Sequence, residues 1–214
     1  MRFRARQISW VLVGILLSQV GQAQTAEEIA RKTRQRYEGA KYLALRFQQV
    51  FEWKLTGERQ EIEGTVQVAP GERYRVETPT QLIVCDGKTV WTYNRPIQQV
   101  VIDRLGEDRT PLLRDLVVRY LKDYAAELAG EGEVDGRRCW VLRLRAKNPA
   151  ELVAEITVWV DRERYIVWQT EETDANGNRN RYRVLSFEEP ASLPETAFHF
   201  DMPPSVEVID LRVH

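Results

Sequence analysis

The sequence predicts a mainly β protein: one large antiparallel sheet that curls toward a barrel, with two helices available to cover its interior. Three observations predict it. Period-two alternation of apolar and polar residues recurs in about eleven or twelve segments, spaced roughly 10–15 residues apart. Those segments are joined by tight-turn dipeptides, which favours an antiparallel sheet over parallel βαβ units. Only two segments carry the three-and-four spacing of an amphipathic helix. A twisted sheet of this size tends to curl, and a barrel of more than about eight strands is wide enough to leave an interior.

Residues 1–23 read as a cleavable secretory signal. Arg2, Arg4 and Arg6 precede an apolar run over 8–17, and Gly21-Gln22-Ala23 supplies the small residues that signal peptidase needs. The run is about ten residues, whereas a membrane-spanning helix takes roughly 20. No Cys stands at the cleavage site to receive a lipid, so the expected mature protein, 24–214, is a single soluble domain of the periplasm. Losing the signal removes three of 31 basic residues and none of 32 acidic ones, leaving 28 against 32. That balance gives no push toward nucleic acid or anionic lipid, and a monomer is expected.

The mature chain opens with a helix over 25–39. Thr25 caps it, Glu28 completes a capping box, and Ile29, Thr33 and Tyr37 fall on one face. Residues 42–92 then alternate, as in Leu43, Leu45 and Phe47, in Val66 and Val68, and in Tyr74 and Val76, with turns at Pro70-Gly71, Pro79 and Asp86-Gly87. Gly87 is expected to take the positive φ of its hairpin turn. Thr110-Pro111 starts the second helix, on which Leu112, Leu113, Leu116, Val117, Tyr120, Leu121 and Tyr124 form a broad apolar stripe. Propensity alone would extend it to Gly130. Strands return over 138–147, 153–161, 164–173, 180–189 and 206–213.

Catalysis finds little support, and no enzyme, cofactor or metal is expected. The two histidines, His199 and His214, lie apart from any nucleophile motif, and no Cys or His stands at ligand spacing from another. Charged runs such as Arg162-Glu163-Arg164 read as solvated strand faces. Cys85 and Cys139 leave a cross-strand disulfide open, with two buried free thiols the preferred reading. The six Trp, eight Tyr and six Phe, nearly all in strands, fit either a filled β core or a hydrophobic binding cavity.

The segment from Leu82 through Cys85-Asp86-Gly87-Lys88-Thr89 to Trp91-Thr92-Tyr93-Asn94, followed by Gln98-Gln99-Val100, resembles the signature strand pair of the LolA family of periplasmic lipoprotein carriers. Phe47-Gln48-Gln49, Gly64, Pro70-Gly71, Tyr74-Arg75-Val76 and Thr110-Pro111-Leu112-Leu113 match further family segments in order, across about residues 25–210. The resemblance implies an incompletely closed antiparallel barrel of about eleven strands whose helices form a lid over a hydrophobic cavity. It implies that 126–134 is strand, ending the second helix near Asp123. It implies acylated lipoproteins as cargo, an inner-membrane lipoprotein-releasing transporter as donor, and an outer-membrane acceptor whose existence stays open.

On that reading the cavity and lid take Phe47, Val66, Val68, Tyr74, Val76 and Ile83 from the first half of the sheet. Leu112, Leu113, Leu116 and Val117 come from the lid, and Leu142, Leu144, Ile156, Val158, Trp168, Tyr182 and Val184 from the second half. An Arg before the Pro of the second hairpin latches the lid in one branch of the family; here the place reads Val68-Ala69-Pro70, so the latch is absent or supplied by Arg73 or Arg75. The alternatives are a carrier or sensor of another amphiphile, such as a glycolipid or pigment, a binder of a regulatory protein, and, from another class, a secreted hydrolase dependent on His199.

Overall fold

The computed structural model describes residues 24–106, 113–149, 151 and 153–213, without the side chains of 113–116 and 213. The signal segment, the Thr110-Pro111 start and Leu112 therefore lie outside the described residues, as do the side chains of Leu113 and Leu116.

Helix α1 spans Ala26–Gly39, and Thr25 Oγ1 accepts the Glu28 backbone N–H as an N-cap should. The reciprocal half of the capping box is not made, because the Glu28 carboxylate turns to Lys32 at 2.8 Å. Six strands follow: β1 (Leu43–Glu52), β2 (Arg59–Ala69), β3 (Arg73–Glu77), β4 (Gln81–Asp86), β5 (Thr89–Asn94) and β6 (Gln99–Arg104). The β4–β5 turn has Gly87 at φ 96°, and Asp86 Oδ1 accepts from the Lys88 and Thr89 amides.

Helix α2, Leu113–Asp123, gives way at once to β7 (Tyr124–Val134), so strand pairing overrides the helical propensity of the Ala-Ala-Glu-Leu-Ala stretch. Then come β8 (Arg137–Ala146), β9 (Glu155–Asp161), β10 (Val167–Thr173), β11 (Arg179–Glu188) and the short β12 (Glu207–Asp210). The expected strand over 164–173 begins late, because Asp161 Oδ1 accepts the Glu163 and Arg164 amides and holds those residues in a turn.

All twelve strands form one sheet in the order β12-β6-β5-β4-β3-β2-β1-β11-β10-β9-β8-β7. Its ends, β12 and β7, do not meet, so the barrel is open. Every pairing is antiparallel except β12 on β6, a parallel addition that alternation in sequence does not reveal.

Two apolar clusters result. The larger joins one face of the sheet to Ile29 and Tyr37 of α1 and to Val117 and Leu121 of α2. The smaller lies on the opposite face of β4–β6, where Val84, Val100 and Ile102 are covered by the C-terminal segment and Phe200 stacks on Trp91 at 6.0 Å. Cys85 and Cys139 are both buried. They sit on strands seven apart in the sheet order, which leaves no route to a disulfide.

Candidate functional site

Directly opposed residues of an antiparallel pair project from the same face. Phe47 opposes Gly64 and Val184, Val66 opposes Val76, Val76 opposes Ile83, and Val68 opposes Tyr74. Across the other half Tyr182 opposes Thr170, Thr170 opposes Val158, Val158 opposes Leu142, and Ile156 opposes Leu144. Twelve of the expected cavity residues thus share the face on which the two helices lie. Leu142, Leu144, Ile156 and Val158 are buried, whereas Val76, Ile83 and Tyr182 are half-buried. Val117 of α2 is buried against them.

Trp168 is the exception. A one-residue irregularity between Val167 and Gln169 breaks the alternation there. The indole Nε1 of Trp168 donates to Asp161 Oδ2 at 2.8 Å, and the Arg137 guanidinium lies 4.1 Å from its ring centroid. Cys139 opposes Asp161, out of phase with Leu142 and Val158, so the Trp168–Asp161 bond lies off the row of the other expected cavity residues, although Trp168 and Cys139 remain part of the larger apolar cluster. Within it, burial and the Asp161 carboxylate push the Cys139 thiol up to about 11, making it an inert buried thiol. Burial pushes the Asp161 carboxyl up, but hydrogen bonds from Trp168 and from the Arg164 and Glu163 amides outweigh it and leave the group below its ordinary value.

Of the two alternatives for the latch, supply by Arg73 or Arg75 does not fit their orientation. Tyr74 and Val76 face the helices, so Arg73 and Arg75 face away. Arg73 donates to Pro70 O and to Glu195, and lies over the Phe198 ring, fastening the C-terminal segment; Arg75 pairs with Glu77. The helices are held otherwise. Tyr37 OH accepts the Val167 amide at 3.1 Å, Gln24 and Lys32 reach Tyr165 OH, and Arg36 pairs with Glu189 at 2.5 Å. Burial raises the Tyr37 phenol far above its ordinary value, so it stays neutral. These bonds all belong to α1 and to Gln24, which precedes its N-cap. Among the described residues of α2, polar ties sit at its C-terminal end, where Lys147 Nζ donates to Lys122 O, and at the surface pair Arg119–Glu151. Its described inward residues, Val117 and Leu121, join the larger cluster by apolar contact.

Between the helices and the sheet, a crevice lined by Tyr37, Val117, Val167, Gln169, Thr170, Tyr182 and Val184 holds only ≈ 10 Å³, room for one water at the limit. At this crevice the described side chains of the two helices, Tyr37 of α1 and Val117 of α2, pack closely against the sheet. A groove of ≈ 240 Å³ lies beyond them, lined by Gln49, Phe51, Trp53, Gln60 and Ile62. Next to it a polar relay crosses three strands, from Gln49 to Asn180 at 2.9 Å and from Asn180 to Glu172 at 2.8 Å. Sequence reading missed this relay, since Gln49 and Asn180 are separated by 131 positions and meet only through the β1–β11 register.

His199 is exposed beside Asp201 in the C-terminal segment, with no nucleophile in contact. Among the described residues no group of three His, Cys, Asp or Glu could hold a metal, and no helix is long and apolar enough to cross a membrane.

An unclosed antiparallel sheet whose apolar face is covered by two helices defines a lid-and-half-barrel protein. The chain belongs to the LolA family: the profile described as "Outer membrane lipoprotein carrier protein LolA" matches residues 38–201. It is 26% identical over 209 residues to the outer-membrane lipoprotein carrier protein of Aeromonas salmonicida, covering 94% of this chain and 98% of that one. It is 25% identical over 205 residues to an uncharacterized protein of Methanocaldococcus jannaschii, covering 94% of this chain but only 58% of the length of that relative. Among solved structures, an uncharacterized conserved protein of Thermus thermophilus shares the fold with a TM-score of 0.57 at 17% identity, over 85% of this chain and 98% of that one.

Proposed function

We propose that this protein is an exported carrier that takes the acyl chains of lipoproteins onto the apolar face of its sheet and delivers them from the inner to the outer membrane. On this reading residues 1–23 direct it to the periplasm and 24–214 form one carrier domain. An inner-membrane releasing transporter loads it, and an acceptor at the outer membrane unloads it. The observation that carries the reading is the contrast between the helices among the described residues: α1 is bonded to the sheet, while Val117 and Leu121 of α2 rest on it through apolar side chains that an acyl chain can replace.

The energetics demand such a device. Each methylene moved into water costs ~0.8 kcal/mol, so one chain of about 16 carbons costs on the order of 10 kcal/mol, and free diffusion of a lipoprotein is negligible. A carrier must also release its cargo. Closing on itself when empty serves that end, because the apolar contacts between α2 and the sheet offset part of what the chains lose on leaving. The same face suits any long-chain amphiphile, and lipoproteins are favoured by the family to which the chain belongs.

The test is detergent-free copurification. Mature protein expressed in a bacterial periplasm should bring down acylated lipoprotein and ignore the same cargo with its lipidated Cys replaced. Replacing buried Val117 by Asn should cut that retention about tenfold while far-UV circular dichroism stays native, as expected for losing about 1.5 kcal/mol of apolar contact. Equal recovery of both cargo forms would sink the reading.

A further inference from the structure

The apolar face is not uniform, and its one carboxylate relay is directional. On β8 and β9 the helix-facing residues Leu142, Leu144, Ile156 and Val158 are wholly aliphatic. On β1, β11 and β10 the same face carries Gln49, Asn180 and Glu172. In this relay Gln49 Nε2 donates to Asn180 Oδ1, and Asn180 Nδ2 donates to Glu172 Oε1. Each amide directs one of its two N–H donors along the relay toward the carboxylate, and among the described residues Glu172 has no basic partner. Its row neighbour across the sheet is Ile156, so the half-buried carboxylate borders the aliphatic wall directly.

A half-buried carboxylate that accepts from an amide relay, beside an apolar wall and linked through Asn180 and Gln49 to an open groove, is complementary to a cation attached to apolar chains. We propose that Glu172, positioned by Asn180 and Gln49, is a head-group subsite for a primary ammonium carried next to the acyl chains of the ligand. This rests on the carrier reading above and adds to it a choice among cargoes. Two ligands share the chemistry: a diacylated polypeptide end with a free α-amine, and a phospholipid with an ethanolamine head. An N-acylated end lacks the charge, and its extra bulk would face a carboxylate that loses water without gaining a partner.

The experiment measures binding by the intrinsic fluorescence of the mature protein. One arm uses a synthetic dipalmitoylglyceryl-cysteinyl peptide with a free N-terminus and its N-acetylated counterpart; the other uses short-chain phosphatidylethanolamine and its N-acetylated form. The free amine should bind about tenfold tighter than the acetylated form in at least one arm, and the arm showing the larger ratio identifies the source. Glu172→Gln should bring that ratio close to one, and Glu172→Asp, which keeps the charge, should preserve much of it, with thermal unfolding verifying that both variants fold. A ratio near one in both arms for the wild type, or a ratio that survives Glu172→Gln, overturns the subsite alone. Failure of every acylated ligand to bind overturns the carrier reading and the subsite together.

Discussion

At Gly64 a side chain is missing because another occupies its place. A Cβ built there would lie 2.7 Å from the Phe47 ring and 2.7 Å from the Glu77 carbonyl oxygen. Phe47 opposes Gly64 in the β1–β2 ladder and lays its ring over the bare backbone, filling the gap a glycine leaves in a strand. Gly64→Ala should cost about 1–3 kcal/mol, read as a lowered melting temperature, since neither the ring nor the ladder carbonyl can move aside cheaply. Asp161 makes a prediction of opposite chemistry. Its carboxyl sits below its ordinary value when folded, so its stabilisation is present above the unfolded pKa of about 3.9 and is lost as pH falls through the lower folded value. Asp161→Asn should therefore be less stable than the wild type at neutral pH, with the gap between their melting temperatures narrowing below about pH 4.

The two helices differ as elements in what restrains them. Tyr37→Phe removes the acceptor of the buried Val167 amide, and should cost about 1–3 kcal/mol and speed hydrogen exchange at that amide. Their legibility in sequence differs too. Thr25 and the Ile29-Thr33-Tyr37 face mark α1 from cap to last turn. The end of α2 is marked by no cap: Asp123 passes straight into Tyr124, and only the resemblance to a family with a strand at that place locates the boundary. Strand β10 shows the converse limit. Trp168 falls in phase with Thr170 by counting, but one extra residue takes it out of that row, and nothing in Ile166-Val167-Trp168-Gln169 signals a bulge.

Across the whole molecule the hydrophobic alternation was enough to define a large antiparallel sheet with one greasy face, because period two is a local property of the chain. How closely the described helix side chains approach that face was not legible. Whether two apolar surfaces enclose space or close on each other depends on the distance between them, which the curvature of twelve strands sets and no residue encodes alone. The polar relay through Gln49, Asn180 and Glu172 is hidden for the same reason: it exists only once β1, β11 and β10 are in register.

The failure of β7 to meet β12 has its own consequence. A sealed cylinder admits a guest only through its mouth and must be as wide as the bulkiest part of it. A wall with a lengthwise seam lets a tethered tail slip in sideways while whatever it is attached to stays in solvent, whatever its size. For a carrier built this way, the folded portion of the passenger sets no limit on what can be ferried.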